Sequence, residues 1–390
     1  MRGKIIAVSP VLALLAACFL TGTSAAQAQD ATATDSDGAI TPFVLPDAGP
    51  FEPKSLGEQN TAAITAWLKG GHADATAEAF THWNEEGEVP PNCSVCHAGA
   101  GFRSFHGLDG SAPGLPESPL PTGGVVDCET CHNDGLASIA EITLPSGVVH
   151  PVVGVEAACM TCHQGRAAGA TVEAATASKP DDTPDAELRF VNPHYATAAA
   201  SWLGGYGGAG VHYPGKTYSG RFFHARPVAS CVSCHNPHSL EVKVETCTTC
   251  HDADSPRAIR IRKQSYDGSG NLAVGIRSDI EANARLLMET LVAYTSEVAG
   301  TALVFEAHYP YFFADTNGDG VADQAEGRAV TYAAWTPRSL RAAYNWKLVT
   351  ADPGIYAHNP HYALELLYDS IEDLAGATDS VDFDTLNILR

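Results

Sequence analysis

The chain has 390 residues, 45% of them hydrophobic, and Asp plus Glu outnumber Lys plus Arg 45 to 23, for a formal charge of −22. Such a field repels nucleic acid and anionic lipid headgroups, which leaves cationic partners, mineral surfaces or a purely solubilising role. No segment after the first thirty residues approaches a membrane span, so a soluble body of two or three domains is expected.

In chain order, residues 1–28 read as an export signal. Arg2 and Lys4 precede an apolar run from Ile5 to Leu20, broken by Ser9 and Pro10, and the triplet Ala26-Gln27-Ala28 follows. Two processing routes are open. Cleavage after the triplet would release a soluble protein of charge −24, because Arg2 and Lys4 leave and no acid does. Alternatively Leu15-Ala16-Ala17-Cys18 is a lipobox, and a lipid on Cys18 would hold the protein at a membrane. Both routes place it in the periplasm, outside the cell or on the cell surface. Residues 29–60 are expected to form a flexible N-terminal segment.

Residues 61–260 hold ten of the eleven cysteines, as five C-x-x-C-H motifs. They are Cys93/Cys96-His97, Cys128/Cys131-His132, Cys159/Cys162-His163, Cys231/Cys234-His235 and Cys247/Cys250-His251. This is the attachment signature of c-type haem: two thiols on one turn add to the porphyrin vinyls, and the adjacent imidazole takes the iron. A disulfide framework needs no histidine after each pair, and a zinc ribbon spends two pairs per metal. Histidine is about 4% of the chain, so five chance placements would occur on the order of one time in ten million. Five haem c groups are therefore expected, and five apolar macrocycles explain how a Gly- and Pro-rich region can be compact.

The second axial ligand is expected to be histidine. Of three methionines, Met1 leaves with the signal, Met160 lies inside a motif and Met288 falls in a predicted helix, so Met/His ligation has no donors. Eleven histidines lie outside the motifs, and bis-histidine ligation implies low potential. The residues alone leave open which five of the eleven serve. His82 falls in a helical stretch from Thr76 to Asn84, and His194 and His361 each follow Asn-Pro, a helix-start signal. Motifs four and five begin sixteen residues apart (Cys231, Cys247), which makes their haems neighbours.

Residues 261–390 are haem-poor. Ser278-Asp279-Ile280-Glu281 reads as a capping box before a stripe of Ile280, Ala284, Leu287, Leu291 and Val298 that stops at Gly300. Thr336-Pro337 opens a helix through Leu348, and Asn359-Pro360 opens another that ends near Gly376. Between them Asp315, Asn317, Asp319, Val321 (by its carbonyl), Asp323 and Glu326 match a twelve-residue calcium loop, so one structural Ca2+ is expected. The flanks of that loop, Tyr309 to Phe313 and Val330 to Trp335, look like strands.

Several stretches resemble exported polyhaem (pentahaem) c-type cytochromes of metal-reducing and marine bacteria: His72-Ala73-Asp74 through Trp83, Cys162-His163-Gln164-Gly165-Arg166, Asn192-Pro193-His194-Tyr195, Gly215-Lys216-Thr217-Tyr218, Trp335-Thr336-Pro337-Arg338, and Asp352-Pro353-Gly354 through Ser370. The likeness covers roughly residues 66–375. It implies an exported electron-transfer protein, with His72, His82, His194, His224, His238 and His358 as distal ligands. That is six candidates for five irons. His106, His150, His212 and His361 fall where the pattern does not call for histidine. The expected fold is mainly α with extensive loop, wrapped around a haem array, with a helical C-terminal part.

The expected function is electron transfer, with redox proteins or an extracellular acceptor as partners and self-stacking into haem filaments as an architectural variant. The alternative is a multihaem reductase of nitrite, hydroxylamine or a sulfur oxyanion, which needs one open iron. Pentahaem nitrite reductases carry a lysine-ligated catalytic haem at C-x-x-C-K, and this chain has no such motif.

Overall fold

The computed structural model describes residues 53–390, with side chains from residue 57 on. The export signal, Cys18 and most of the segment 29–60 lie outside the described residues. A helix, Pro53–Trp67, runs across the boundary drawn at residue 60.

Three helices of the C-terminal part form the main core. Ile276–Glu297, Pro337–Ala351 and Pro360–Ala375 pack against one another. Apolar residues at helical spacing put Leu287, Leu291 and Tyr294 from the first, Leu340, Tyr344 and Leu348 from the second, and Leu364, Leu367, Ile371 and Leu374 from the third into one buried cluster. Thr336 caps the second helix, its side chain accepting from Ser339 N. Asn359 caps the third through Tyr362 N, as Asn-Pro predicted.

The first of these helices starts differently from expectation. It begins at Ile276 after Gly275, so Ser278 lies inside the helix and the capping box is not formed. Asp279 is instead fully buried and receives Arg260 Nη1 and Nη2 at 3.1 and 2.5 Å and Tyr266 N at 2.8 Å. Glu281, the other member of the expected box, pairs with Arg277 Nε at 2.7 Å instead.

A smaller cluster sits under motifs one to three: Phe102, Leu136, Ile142, Leu144, Met160 and Leu203. Strands occur only as two-stranded antiparallel pairs among the described residues, the longest pairing Ala302–Phe305 with Phe312–Asp315. Helix outweighs strand 41% to 7%. The mainly α expectation holds for these residues. From 214 to 265, where motifs four and five lie, no residue is buried. Protein alone gives that stretch no core.

Candidate haem-binding centre

Each C-x-x-C pair sits on a helical turn, which carries positions i and i+3 to one side. Cys93 and Cys96 lie in Pro91–His97, and Cys159 and Cys162 close Val155–His163. Cys128–Cys131 is a single turn capped by Asp127, which accepts Thr130 N at 3.1 Å. Cys231–Cys234 is another single turn, with Ser230 N donating to Ser233 Oγ at 2.9 Å. Cys247 lies in Val244–Thr248, with Cys250 just beyond it. None of these ten cysteines is in a disulfide. The motifs also touch one another. Cys96 Sγ is 3.8 Å from Thr161 O, and Cys162 Sγ is 4.0 Å from Val95 O. The Cys159 thiol meets that of Cys231, and Cys234 lies near Cys247.

Every motif histidine faces one histidine from elsewhere in the chain. Ring centroids are 5.9 Å apart for His97 and His194, 6.0 Å for His132 and His238, and 6.4 Å for His163 and His72. They are 6.3 Å apart for His235 and His358, and 6.1 Å for His251 and His224. These separations have a simple meaning. Two metal–imidazole bonds of about 2 Å, with about 1 Å more from each nitrogen to its ring centre, span about 6 Å.

The remaining histidines have ordinary occupations. His82, carried as a ligand by the resemblance, is exposed, packs edge-on against Trp83 at 4.8 Å and stands 3.7 Å from Glu78. It is the C-cap of the short helix Glu78–Thr81, and although its charge reaches His97, the ring that stands against His97 is that of His194. His106 meets Thr161 Oγ1 at 3.0 Å, His150 the Tyr206 hydroxyl at 3.4 Å and His212 the Tyr362 hydroxyl at 2.9 Å. His308 stands 3.4 Å from Glu306, and His361 faces the Tyr266 ring.

His194 is not in a helix, contrary to the Asn-Pro signal. Asn192 Oδ1 accepts His194 N at 3.0 Å, and the backbone at His194 takes a φ of 91°, a conformation that L residues rarely hold. The next helix waits until Ala198. His194 Nδ1 is buried without a hydrogen-bond partner. A strained backbone that presents an unsatisfied ring nitrogen suits a site where something else satisfies the ring.

The electrostatics favour neutral imidazoles, as iron ligation requires. Burial, helped by His163, holds His72 at about 4. Burial, then Arg166, His97 and Lys347, holds His194 at about 4. Burial lowers His97, His235 and His238 as well. Second nitrogens are directed by the backbone: His97 Nδ1 donates to Ala79 O and His163 Nδ1 to Ala196 O, both at 2.7 Å, while His235 Nδ1 lies 3.3 Å from Leu240 O. Such contacts fix the ring and leave Nε2 for a metal. His358 differs. Burial opposes its charge, but the hydrogen bond and charge of Asp352 prevail and hold it above the usual imidazole range.

The calcium expectation fares less simply. Asp315 is buried, and its oxygens accept Gly318 N, Asp319 N and Gly320 N at 2.8 to 3.1 Å, while Asn317 Oδ1 accepts Asp319 N and Asp323 Oδ2 accepts Thr316 N. Val321 N donates to Asp319 Oδ1. Glu326 departs from the pattern: it lies in the turn between Gln324–Ala325 and Arg328–Ala329, with a φ of 51°. Among the described residues, no three His, Cys, Asp or Glu side chains are gathered for a metal ion. The loop flanks do pair as strands, Phe312–Asp315 on one side and a bridge of Phe313 to Thr331 on the other.

Comparison with known proteins points to the same chemistry. The chain is 26% identical over 386 residues to the C-type polyheme cytochrome OmcB of Geobacter sulfurreducens, covering 80% of this chain and 47% of that protein. It is 25% identical over 396 residues to OmcC of the same organism, covering 82% and 47%. The chain thus spans about half the length of these relatives. No family model matches it, and neither does any solved structure. The likeness supports a multihaem c-type cytochrome family and implies haem c as cofactor. Among the described residues no helix is long and apolar enough to cross a membrane.

Proposed function

We propose that the protein transfers electrons through five bis-histidine haem c groups and works outside the cytoplasm, between redox partner proteins or towards an extracellular acceptor. One observation carries this reading: each of the five motif histidines has one non-motif histidine about 6 Å away, and no motif is left without a partner. The ligand pairs are then His97 with His194, His132 with His238, His163 with His72, His235 with His358, and His251 with His224. His82 is the spare of the six candidates.

Bound haem supplies one-electron chemistry at each iron. The chain's contribution is to hold the irons, keep the rings neutral and bring motifs side by side. Contacts between motifs one and three, three and four, and four and five support a run of neighbouring haems in the order 1, 3, 4, 5. Cys131 interacts with Cys159 and Cys162, which places motif two beside motif three. Because every iron finds two ligands within one chain, stacking into filaments would need no ligand from a neighbouring copy. The reductase alternative requires an open iron, and the five pairs speak against one.

An alanine series tests the assignment. In the holoprotein, H72A, H194A, H224A, H238A and H358A should each turn one haem high-spin, whereas H82A should leave all five low-spin. A high-spin haem in H82A, or none in two or more of the others, would refute the pairing.

A calcium ion at Asp315, Asn317, Asp319, Asp323 and the Val321 carbonyl remains part of the proposal. It is supported by three backbone N–H groups that hold the Asp315 carboxylate, and a full ligand set would need Glu326 to leave its hairpin turn.

A further inference from the structure

We propose that Asp352 is a positioning residue that makes the haem held by Cys231, Cys234, His235 and His358 the lowest in potential of the five; this rests on the ligand pairs proposed above. Asp352 Oδ2 lies 2.7 Å from His358 Nδ1, and the carboxylate is 3% exposed. Its other oxygen accepts Gly354 N at 2.9 Å, which fixes its orientation. Gly354 completes the cradle. A Cβ there would stand 2.7 Å from His358 Cε1, so only glycine lets the backbone pass so close to the ring.

A buried carboxylate that accepts the Nδ1 proton gives the imidazole partial imidazolate character and raises its basicity. A more basic ligand stabilises ferric over ferrous iron, and the uncompensated negative charge in a dry site acts in the same direction. Among the described residues, none of the other nine paired histidines has a carboxylate within ion-pair distance. His97 and His163 donate to backbone carbonyls, and His194 is faced by Arg166 and by the buried Lys347. Acidic groups do stand near other motifs. Asp127, beside Cys131, is neutralised by Arg103 at 2.6 Å, and Glu245, beside Cys247, is exposed. Glu156 faces Cys159 and Cys231 together, which adds to the effect at motif four. Because motif four lies between motifs three and five, an electron crossing the array must climb through this haem.

The test uses D352N, which keeps an acceptor at Oδ1 and removes the charge, in holoprotein with all five haems. Potentiometric titration followed by EPR should show the lowest of five waves moving up, with about a tenfold gain in that haem's reduction equilibrium, equivalent to about 59 mV for one electron. The other four waves should stay in place. H358A identifies the haem, because the wave that leaves the low-spin set must be the one D352N moves. If H358A leaves five low-spin haems, the ligand pairing itself fails. If H358A removes one wave but D352N shifts nothing, or shifts a different wave, only the role of Asp352 is overturned. A D352N protein with five normal low-spin spectra and unchanged potentials would show that the carboxylate merely packs.

Discussion

An imidazole can bind iron only through an unprotonated nitrogen, so the proposed ligation requires rings kept neutral where water would let them charge. Burial does this at His72 and His194, each held at about 4. In the unfolded chain both would titrate near the ordinary value of about 6.5. Between those values the unfolded state binds more protons than the folded one, so stability must fall as pH drops from 6.5 towards 4 and be unaffected by these groups above it. Iron on the same nitrogens extends the window to lower pH. The guanidinium midpoint of the holoprotein should therefore decline across that range; a midpoint that rises on acidification would contradict this account. The C-x-x-C-H cysteines and histidines stand out in the sequence because haem attachment would fix their spacing. The resemblance named all five histidines that face them, with His82 as a sixth; the residues alone did not show which faces which, because His72 meets His163 and His358 meets His235 only after the chain has folded back over long distances. Asp352 was missed for the same reason: nothing local shows that an acid six positions before a histidine will be buried against it.

The haem-poor helices carry the stability that residues 214–265 do not supply for themselves. Leu291 is fully buried where the three helices meet, and L291A should cost about 2–5 kcal/mol as a cavity opens. Thr336 caps the second helix and its hydroxyl lies 2.9 Å from the Tyr294 hydroxyl, so T336A should cost about 0.5–2 kcal/mol. Chemical denaturation followed by circular dichroism measures both, and a T336A loss larger than that of L291A would mean that the core has been misplaced. Asn359 and Thr336 were readable caps because Asn-Pro and Thr-Pro restrict the backbone on both sides of the junction. The start at Ile276 was not readable, since Ser278 and Glu281 carry the box pattern, yet the helix begins two residues earlier and Glu281 pairs with Arg277. The calcium loop belongs to the same scale. If Asp315 and its neighbours hold Ca2+, chelation should lower the melting temperature, and D315N should abolish that sensitivity. An identical melting curve with chelator and with added calcium would remove calcium from the account.

At the scale of the whole molecule, the proposed function divides the work between the acidic surface and the haem array. On the proposed function, a charge of −22 would favour solubility and cationic encounter surfaces, while the contacts between motifs would let a redox change entered at one haem reach the rest. Likeness to polyhaem cytochromes agrees with this division, over a chain about half their length. The most direct test of the central claim is quantitative EPR of the fully oxidised holoprotein, with spins counted against protein. The account predicts five low-spin ferric haems per chain and a spectrum unchanged by cyanide or nitrite. A high-spin signal that vanishes when either ligand is added, or fewer than five haem spins per chain, would contradict it.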